Sequence, residues 1–331
     1  MMTEKEYVGR FAPSPTGPLH FGSLVAALGS CVDARARGGR WLLRMEDIDE
    51  PRCSSSAADD ILRALVACGF EWDGPVMVQS RRKDRYREIL EELKRAGHVY
   101  PCACTRRELA DSTLAPDGAP IYPGTCRSGL PVGTLPRAWR LRVDETPVCF
   151  DDEIQGRYCQ HLAQEIGDFV LLRADGHFAY QLAVVVDDTD LGVSHVVRGA
   201  DLLDSTPRQI FLQRRLGLPT PAYAHLPVAV NAVGEKLSKQ TRAVAIDSAE
   251  PVPAMFDALT FLGQRPPPDL RRSTMADFWA WAIANWDIAK VPRARTLPAS
   301  AAVFAPAAIA GNADRQAHDT VGQPAGGAQE Q

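Results

Sequence analysis

The sequence predicts an α/β fold in which a parallel sheet is joined by crossover helices. Short apolar runs of strand length alternate with longer apolar patterns at helical spacing. Glycines follow the helical patterns, at positions where a left-handed residue commonly ends a helix. Strands and helices alternate along the chain, which favours parallel strands connected by helices. The length of 331 residues allows a sizeable core and about two domains.

Residues 1–97 contain the first half of this alternation. Serines stand before two of the helical patterns, where their side chains can accept hydrogen bonds from free backbone N–H groups. The predicted elements are, in order, a strand at 8–11, a helix ending at Gly38-Gly39, a strand at 40–45, a helix capped by Ser55-Ser56 and ending at Cys68, and a helix capped by Ser80 and ending at Gly97.

The later part of the chain divides into four further segments. Residues 98–165 are rich in Pro, Gly, Cys and Arg, which indicates an inserted subdomain. Alternation resumes over 166–245, a short helical region is expected over 246–291, and residues 292–331 lack periodicity and are predicted to be a disordered tail. The elements predicted within 166–245 are a strand at 169–173, an Asp175-Gly176 hairpin turn, a strand at 179–186, a strand at Val196-Val197 and a helix from Thr206-Pro207 to Gly217.

The formal net charge of −4 argues against nucleic-acid binding through positive charge spread over the whole surface. Any RNA contact must therefore use a local patch. Residues 81–107 carry nine Lys or Arg against four Asp or Glu, and the same stretch has the apolar stripe of a surface helix. An RNA contact and an ordinary amphipathic helix are both compatible with that pattern.

Cysteine usage and hydropathy predict a cytoplasmic protein. The chain has no signal-peptide pattern and no apolar run of transmembrane length. Eight cysteines without secretory features favour reduced thiols, and with no obvious apolar seam we expect a monomer. Five cysteines lack ligand spacing and are expected to be small buried or half-buried side chains: Cys31, Cys53, Cys68, Cys149 and Cys159.

The turn after the first strand is a candidate phosphate site. It reads His20-Phe21-Gly22-Ser23 and opens the first helix. Free backbone N–H groups and the positive end of the helix dipole attract anions at such a turn. His20 can donate a hydrogen bond to a phosphate oxygen, and Gly22 leaves room for a ligand. The alternative is an ordinary strand–turn–helix with an incidental histidine.

A lysine loop late in the chain, Lys236-Leu237-Ser238-Lys239-Gln240, is a second candidate. A mobile basic loop can close over a triphosphate and neutralise charge that develops at the reacting phosphorus. Two lysines in a polar loop are, by themselves, usually solvated surface. Together with the His20 turn, the loop favours activation of a carboxylate by ATP.

Cys102, Cys104 and Cys126 have the spacing of metal ligands. Two thiolates one residue apart can both reach one Zn²⁺, and a third can return across a Pro/Gly-rich loop. His98 and Asp111 are ordinary chemical choices for a fourth ligand, and three cysteines without metal are the alternative. A structural role is favoured, because the metal would stabilise a loop-rich insertion with little core of its own.

At these motifs the chain resembles the class I aminoacyl-tRNA synthetases, specifically their glutamyl branch. The His20 turn resembles the family's His-Ile-Gly-His signature, with Ser23 at the last position, and the lysine loop resembles its Lys-Met-Ser-Lys-Ser motif, with Gln240 at the last position. The resemblance covers roughly residues 7–245 and includes three further blocks: Arg44-Met45-Glu46-Asp47-Ile48-Asp49, His195-Val196-Val197-Arg198-Gly199-Ala200-Asp201 and His225-Leu226-Pro227.

The resemblance implies a Rossmann-like catalytic domain with an inserted zinc-containing subdomain and a short C-terminal helical region. It implies catalytic roles for His20 and Lys239. The residues it assigns to ATP with Mg²⁺ are His20, Gly22, Ser23, Lys236, Ser238 and Lys239. The residues it assigns to glutamate are Arg10, Phe11, Ala12, Pro13, Ser14, Glu46, Tyr180 and Arg198.

The chemistry of an amino acid fits these assignments. The α-ammonium requires an anion, for which we expect Glu46, and carboxylates suit the forked guanidinium groups of Arg10 and Arg198. Tyr180, which is expected in a strand, has a phenol that can donate. Surface ion pairs are the alternative for these side chains. Asp187-Asp188 could face the substrate or bind Mg²⁺, and the residues do not decide between the two.

After the lysine loop, only 246–291 is expected to be structured, which is too short for the large helical anticodon-binding region of a full glutamyl-tRNA synthetase. The chain therefore most resembles the glutamyl-queuosine tRNA(Asp) synthetases, in which a tyrosine four residues before the last cysteine, here Tyr122, completes the zinc site. This implies ATP-dependent, tRNA-independent activation of L-glutamate and its transfer to queuosine in the anticodon of tRNA(Asp). A truncated glutamyl-tRNA synthetase that charges a tRNA 3′ end and a non-catalytic RNA- or zinc-binding paralogue are the alternatives.

Overall fold

The computed structural model describes residues 6–110, 112–115, 118–231, 234–236 and 246–299. Asp111, Ser238, Lys239, Gln240 and the tail from residue 300 lie outside them. The strands are β1 (Val8–Phe11), β2 (Arg40–Met45), β3 (Met77–Val78), β4 (Val99–Cys102), β5 (Ala138–Leu141), β6 (Val148–Asp152), β7 (Gly156–Gln160), β8 (Val170–Leu172), β9 (His195–Gly199), β10 (Ala222–Leu226), β11 (Val228–Val230) and β12 (Thr296–Pro298). The helices are α1 (Phe21–Ala36), α2 (Ser55–Ala67), α3 (Lys83–Arg95), α4 (Leu162–Glu165), α5 (Tyr180–Asp190), α6 (Thr206–Arg215), α7 (Pro251–Phe261) and α8 (Met275–Asn285).

Parallel strands form the centre of the fold. β1 pairs in parallel with β2, which pairs with β3, and β10 lies between β9 and β6, parallel to both. At the start of β1, the carbonyl of Val8 accepts a hydrogen bond of 3.0 Å from the backbone N–H of Ser194, just before β9. The predicted α/β class with parallel strands is confirmed. Residues at the carboxyl ends of β1, β2 and β9 line a common cavity.

The long helix α1 packs against this sheet and against the C-terminal helices α7 and α8. Leu24 and Leu28 of α1 have no exposed surface, and Leu259 and Phe278 belong to the same core. The short helical region expected over 246–291 is therefore part of the main core rather than an appendage. None of the helices within the described ranges is both long enough and apolar enough to cross a membrane.

Helix α3 is amphipathic, as one of the two interpretations of the basic stretch predicts. Its charged face carries ion pairs, such as that between Arg85 and Asp190, whose Nε and Oδ2 atoms are 3.0 Å apart. The buried stripe consists of Tyr86, Ile89, Leu90 and Leu93.

The prediction of a strand at 179–186 is wrong, because this segment belongs to helix α5, which begins at Tyr180. Every residue from Leu182 to Asp188 is buried, so the segment has no polar face that would mark it as a helix. The run Val184-Val185-Val186 favours a strand locally, and packing on both sides overrides that preference.

Strand pairing also joins strands from two segments that are predicted to be separate, the insertion at 98–165 and the second half of the catalytic domain at 166–245. β8, expected with the catalytic strands, pairs antiparallel with β5 in the three-stranded sheet β4-β5-β8. β6 and β7, expected in the insertion, instead extend the parallel sheet beside β10. Pairing between strands that are distant along the chain leaves no trace in local periodicity, so composition alone misplaces these boundaries.

Two cysteines expected to be free thiols form a disulfide. Cys149 on β6 lies directly opposite Cys159 on the antiparallel neighbour β7, and their sulfurs are bonded. The prediction of eight reduced thiols is therefore wrong for this pair, and Cys159 is exposed. The other three cysteines without ligand spacing form no disulfide and are buried or half-buried, as expected: Cys31, Cys53 and Cys68.

Part of the segment from residue 292 that is predicted to be a disordered tail is ordered, and the remainder, from residue 300, lies outside the described residues. Residues 296–298 form β12, which pairs in parallel with β11, and the backbone N–H of Ala299 donates to Val230 at 2.9 Å. The composition of this segment does not predict a strand. Its order comes from backbone pairing with β11, which composition does not reveal.

Candidate functional site

The turn between β1 and α1 is held by two side chains. His20 is the N-cap of α1, and its Nδ1 accepts a hydrogen bond of 3.2 Å from the backbone N–H of Ser23. The hydroxyl of Ser23 lies 3.0 Å from Nε2 of the same ring. Ser23, at the position where the signature has its second histidine, therefore fixes the orientation of His20.

A cavity of about 530 Å³, which we term the His20 cavity, opens at this turn. Gly22 lines it at the start of α1, and Lys236 lines it from the opposite side. The ammonium of Lys236 is exposed and paired with Asp201. A Cβ on Gly199 would lie 2.5 Å from Oδ1 of Asp201, so a side chain at this wall of the cavity would force Asp201 to shift. The first lysine of the loop thus lies where an anion between it and the helix start could be bound.

A smaller cavity of about 120 Å³, the Arg198 cavity, adjoins the His20 cavity, and Phe11, Ala12 and Gly199 line both. Six of the eight residues predicted to contact glutamate line it: Arg10, Phe11, Ala12, Glu46, Tyr180 and Arg198. The other two, Pro13 and Ser14, line the His20 cavity. The predicted set is thus brought together, although Tyr180 arrives from a helix and not from a strand.

Arg10 and Glu46 belong to a buried ionic cluster centred on Arg44, whose side chain is fully buried. The Nη2 of Arg44 donates to Glu46 at 2.9 Å, its Nη1 donates to Asp188 at 2.5 Å, and the Nε of Arg10 donates to Asp188 at 3.2 Å. Burial raises the pKa of Glu46 above its usual range. Burial would do the same to Asp188, but the guanidinium groups of Arg10 and Arg44 lower its pKa.

This cluster answers the question left open for Asp187-Asp188. Neither aspartate is among the residues that line the two cavities. Asp188 binds the two arginines, and Asp187 accepts hydrogen bonds from Gln79, Arg82 and Tyr86 at 2.7–2.8 Å. Both aspartates therefore orient protein side chains. Arg44 begins one of the sequence blocks that resemble the family, but nothing in the sequence indicates that it bridges Glu46 and Asp188.

Arg198 is 5% exposed, and protein groups bind most of its donors. Its Nη2 donates to Thr206 Oγ1 at 2.9 Å and to Gln209 Oε1 at 2.8 Å, and its Nε donates to His225 Nε2 at 3.1 Å. Its Nη1 donates to the hydroxyl of Tyr180 at 3.3 Å. These contacts fix the guanidinium plane and hold the Nη1 edge beside Tyr180, which lines the cavity with it.

A third cavity, the Asp49 cavity, has a volume of about 420 Å³ and shares Glu46 and Tyr180 with the Arg198 cavity. Asp49 forms an ion pair with Arg52 and lies 3.6 Å from the guanidinium of Arg173. The Asp49 cavity therefore provides a second approach, lined by charged side chains, to the groups around Glu46.

The three cysteines with ligand spacing converge. The sulfurs of Cys102, Cys104 and Cys126 all lie within 4.8 Å of one another. The hydroxyl of the buried Tyr122 is 3.5 Å from the sulfur of Cys102 and 3.7 Å from that of Cys104. His98 is not in this group, and Asp111 falls outside the described residues. Of the two candidate fourth ligands within the described residues, His98 and Tyr122, it is Tyr122 that lies at the cluster.

The surroundings of the cluster favour an anionic sulfur at Cys126, whereas burial raises the pKa of Cys104 to about 11. Arg140 lies over the ring of Tyr122, with its Cζ 3.7 Å from the ring centroid, and its Nε donates to the sulfur of Cys102 at 3.3 Å. Burial opposes ionisation of Cys126, but hydrogen bonds from the backbone N–H of Ala103 and from Tyr122 lower its pKa to about 7. Three thiols match the donor chemistry of a structural Zn²⁺ site, and the phenol of Tyr122 lies beside them.

Comparison with known proteins places the chain in a family. Residues 6–263 match the family model described as "tRNA synthetases class I (E and Q), catalytic domain". The chain is 61% identical over 287 residues to a glutamyl-Q tRNA(Asp) synthetase of Aromatoleum aromaticum, covering 87% of this chain and 91% of that protein. It is 62% identical over 289 residues to the protein of the same name from Dechloromonas aromatica, covering 87% and 96% of the two chains.

A solved structure agrees with these relatives. The crystal structure of a glutamate tRNA ligase from Elizabethkingia meningosepticum, in complex with its amino acid, superposes with a TM-score of 0.74 at 27% identity. The match covers 91% of this chain and 68% of that one. The chain is therefore a glutamate-activating ligase that belongs to the class I tRNA synthetases of the E and Q type and, within them, to the glutamyl-Q tRNA(Asp) synthetases.

Proposed function

We propose that this chain activates L-glutamate with ATP, without tRNA, and transfers the glutamyl group to queuosine in the anticodon of tRNA(Asp). One observation carries the activation step. A small cavity lined by an arginine, a tyrosine and a half-buried glutamate shares part of its lining with a larger cavity at a helix start. The acceptor is supported by the names of relatives that this chain matches over most of their length.

In the activation step, the α-carboxylate of glutamate attacks the α-phosphorus of Mg·ATP in line. A carboxylate–phosphate bond forms, and the bond to pyrophosphate breaks. Glu46 is assigned to the α-ammonium, and the Nη1 of Arg198 with the hydroxyl of Tyr180 to the side-chain carboxylate. Arg10 is assigned to the α-carboxylate. Catalysis of this kind rests mainly on positioning and on neutralising charge.

The nucleotide is assigned to the His20 cavity. His20 and Lys239 would stabilise the pentacovalent phosphorus, and Lys236 with Ser238 would hold the outer phosphates. Lys239 and Ser238 lie outside the described residues, so their roles rest on the resemblance of the loop. Gly22 and Ser23 would bind phosphate through the free N–H groups at the start of α1.

In the transfer step, a hydroxyl of the acceptor attacks the carbonyl carbon of glutamyl-adenylate, an ester forms and AMP leaves. We assign the acceptor nucleoside to the Asp49 cavity, because this cavity shares Glu46 and Tyr180 with the Arg198 cavity and shares Ser14 and Thr16 with the His20 cavity. A single base that enters this cavity would meet the adenylate without any separate anticodon-binding domain.

We further propose one structural Zn²⁺, held by Cys102, Cys104, Cys126 and Tyr122. The metal would fix the loops after β4 and would take no part in the transfer of the glutamyl group. We also assign the acceptor as tRNA(Asp) and the active form as a monomer.

Two assays test the function. Pyrophosphate exchange with glutamate and ATP, in the absence of tRNA, is expected to be positive. Labelled glutamate is expected to enter tRNA(Asp) that contains queuosine, but neither tRNA(Asp) without queuosine nor tRNA(Glu). Labelling of tRNA(Glu) alone would favour charging of a 3′ end instead. Absence of exchange with and without tRNA would contradict both enzymatic functions and leave the non-catalytic one.

A further inference from the structure

A histidine that lines none of the three cavities controls how Arg198 is held. His225, on β10, has no exposed surface and lies between Asp152 at the end of β6 and Arg198 on β9. Its Nδ1 is 2.5 Å from Oδ2 of Asp152, and its Nε2 is 3.1 Å from Nε of Arg198. The three side chains form one chain of hydrogen bonds that ends at the Arg198 cavity.

The partners of Asp152 decide which nitrogen of His225 carries the proton. Oδ1 of Asp152 accepts hydrogen bonds from the backbone N–H groups of Ile154, Gln155 and His225 at 2.8–3.1 Å. Burial would raise the pKa of Asp152, but the contacts with His225 and these N–H groups lower it, so the carboxylate is ionised and can only accept. Nδ1 of His225 must therefore carry the hydrogen, and Nε2 must present its lone pair.

That tautomer matches Arg198, whose Nε–H can only donate. Among the described residues, Nε and both hydrogens of Nη2 then have protein acceptors, and one hydrogen of Nη1 is donated to Tyr180. The second hydrogen of Nη1 and the hydroxyl hydrogen of Tyr180 remain for a ligand. Two adjacent donors of this kind suit the two oxygens of one carboxylate.

We propose that Asp152 and His225 are positioning residues, which hold Arg198 in the orientation that binds the side-chain carboxylate of glutamate. The proposal rests on the proposed function, because it takes glutamate as the ligand of the Arg198 cavity. Neither residue lines any of the three cavities, so the pair would act on glutamate through Arg198.

Two substitutions of the same histidine form a matched test. In His225→Gln, the amide oxygen can take the place of Nε2 and accept from Arg198. In His225→Asn, the shorter side chain reaches Asp152 but not Arg198. We expect His225→Asn to raise KM for glutamate by roughly tenfold to hundredfold, as for the loss of a hydrogen bond to a charged group. We expect His225→Gln to stay within a few-fold of the wild type, and KM for ATP to change in neither variant.

A third variant tests the tautomer. In Asp152→Asn, the amide nitrogen donates a hydrogen bond to Nδ1 of His225. The ring hydrogen of His225 then moves to Nε2, where it faces the Nε–H of Arg198 and the two donors repel each other. KM for glutamate is expected to rise at least as far as in His225→Asn. Combination with His225→Gln, which has no tautomer, is expected to restore part of the loss. Equal effects of Gln and Asn at 225, or equal rises in KM for glutamate and ATP, would overturn the positioning role.

The wild-type chain provides a readout that does not depend on the folding of a variant. With histidine labelled in ¹⁵N, the ring of His225 is expected to show a protonated Nδ1 and an unprotonated Nε2. A ring protonated at Nε2 contradicts the proposal. Binding of glutamate to the wild type, measured by calorimetry, distinguishes failure of the positioning role from failure of the proposed function. If glutamate does not bind, the proposed function fails as well. If it binds and KM for glutamate is unaltered in His225→Asn, only the positioning role fails.

Discussion

The Arg198 cavity and the cysteine cluster obtain their geometry in different ways. The cavity lies at the ends of parallel strands, and buried partners on other elements hold its charged side chains. Cys102 ends β4, and Cys104 and Cys126 lie in the loops that follow. Among the described residues, the buried hydrophobic cluster that contains them is small: Tyr100, Cys102, Tyr122 and Cys126.

This difference indicates which site is formed before its ligand binds. Fixed charges in the cavity would cost no reorganisation on binding of the glutamate that we assign to it, as expected for a site that works by positioning. The cluster has little apolar burial to stabilise it, so a metal would supply the missing free energy. Substitutions at the cavity should therefore act on catalysis or on the whole fold, and loss of metal should act locally.

The largest effect is expected from Arg198→Met. The change removes a donor to the ligand and leaves Gln209 and His225 without their partner. We expect kcat/KM for glutamate in pyrophosphate exchange to fall by roughly a thousandfold, about 4 kcal/mol of transition-state stabilisation. Binding of ATP alone, measured by calorimetry, is the control and should not change. A loss below tenfold would mean that Arg198 does not bind the substrate.

Arg44→Met should act on stability more than on any single substrate. Arg44 is fully buried and neutralises both Glu46 and Asp188, so its removal leaves buried carboxylates poorly compensated. The free energy of unfolding, measured in urea, is expected to fall by about 3–5 kcal/mol. Addition of Asp188→Asn should recover part of that loss. If the single and double variants were equally stable, the cluster would not be coupled as described.

The sequence predicts which side chains lie at the strand ends of the Arg198 cavity, but it does not predict the buried contacts that hold those side chains. Arg10, Glu46 and Arg198 each follow an apolar run, so their meeting at one sheet edge follows from parallel pairing. The contact of Asp152 with His225 joins positions 73 residues apart, through the pairing of β6 with β10, and no local pattern records it. Cys149 and Cys159 were missed for the same kind of reason, since their bond follows from strand register.

Removal of metal should separate the two regions. We expect one zinc per chain by elemental analysis, and Cys104→Ser should lower that content. Chelation should then increase amide hydrogen exchange around residues 99–130, while pyrophosphate exchange with glutamate remains within about threefold. Transfer to tRNA(Asp) should fall further than that, because the loops after β4 would no longer be fixed. Parallel loss of exchange and transfer would show that the two regions depend on one another.

The smallest effect concerns pH and the buried His225. Burial lowers its pKa from 6.5 to about 4, although Asp152 opposes the shift, while Arg198 and Thr206 face its other nitrogen. Between these two values the unfolded chain binds more protons than the folded chain. The contribution of His225 to stability is therefore fully present above pH 6.5 and falls as the pH drops toward 4.

From pH 7 to pH 5, this residue should reduce the free energy of unfolding by about 2 kcal/mol. The reduction should be missing in His225→Gln, which has no ring to titrate, and urea unfolding of both chains at the two pH values measures the difference. Glu46 and the half-buried His195 also titrate with shifted pKa values but remain in both chains, so the comparison isolates His225 together with Asp152, whose pKa the histidine lowers. Equal pH dependence of the two chains would mean that His225 is not held neutral, and the cavity would then lack the rigid support that distinguishes it from the cysteine cluster.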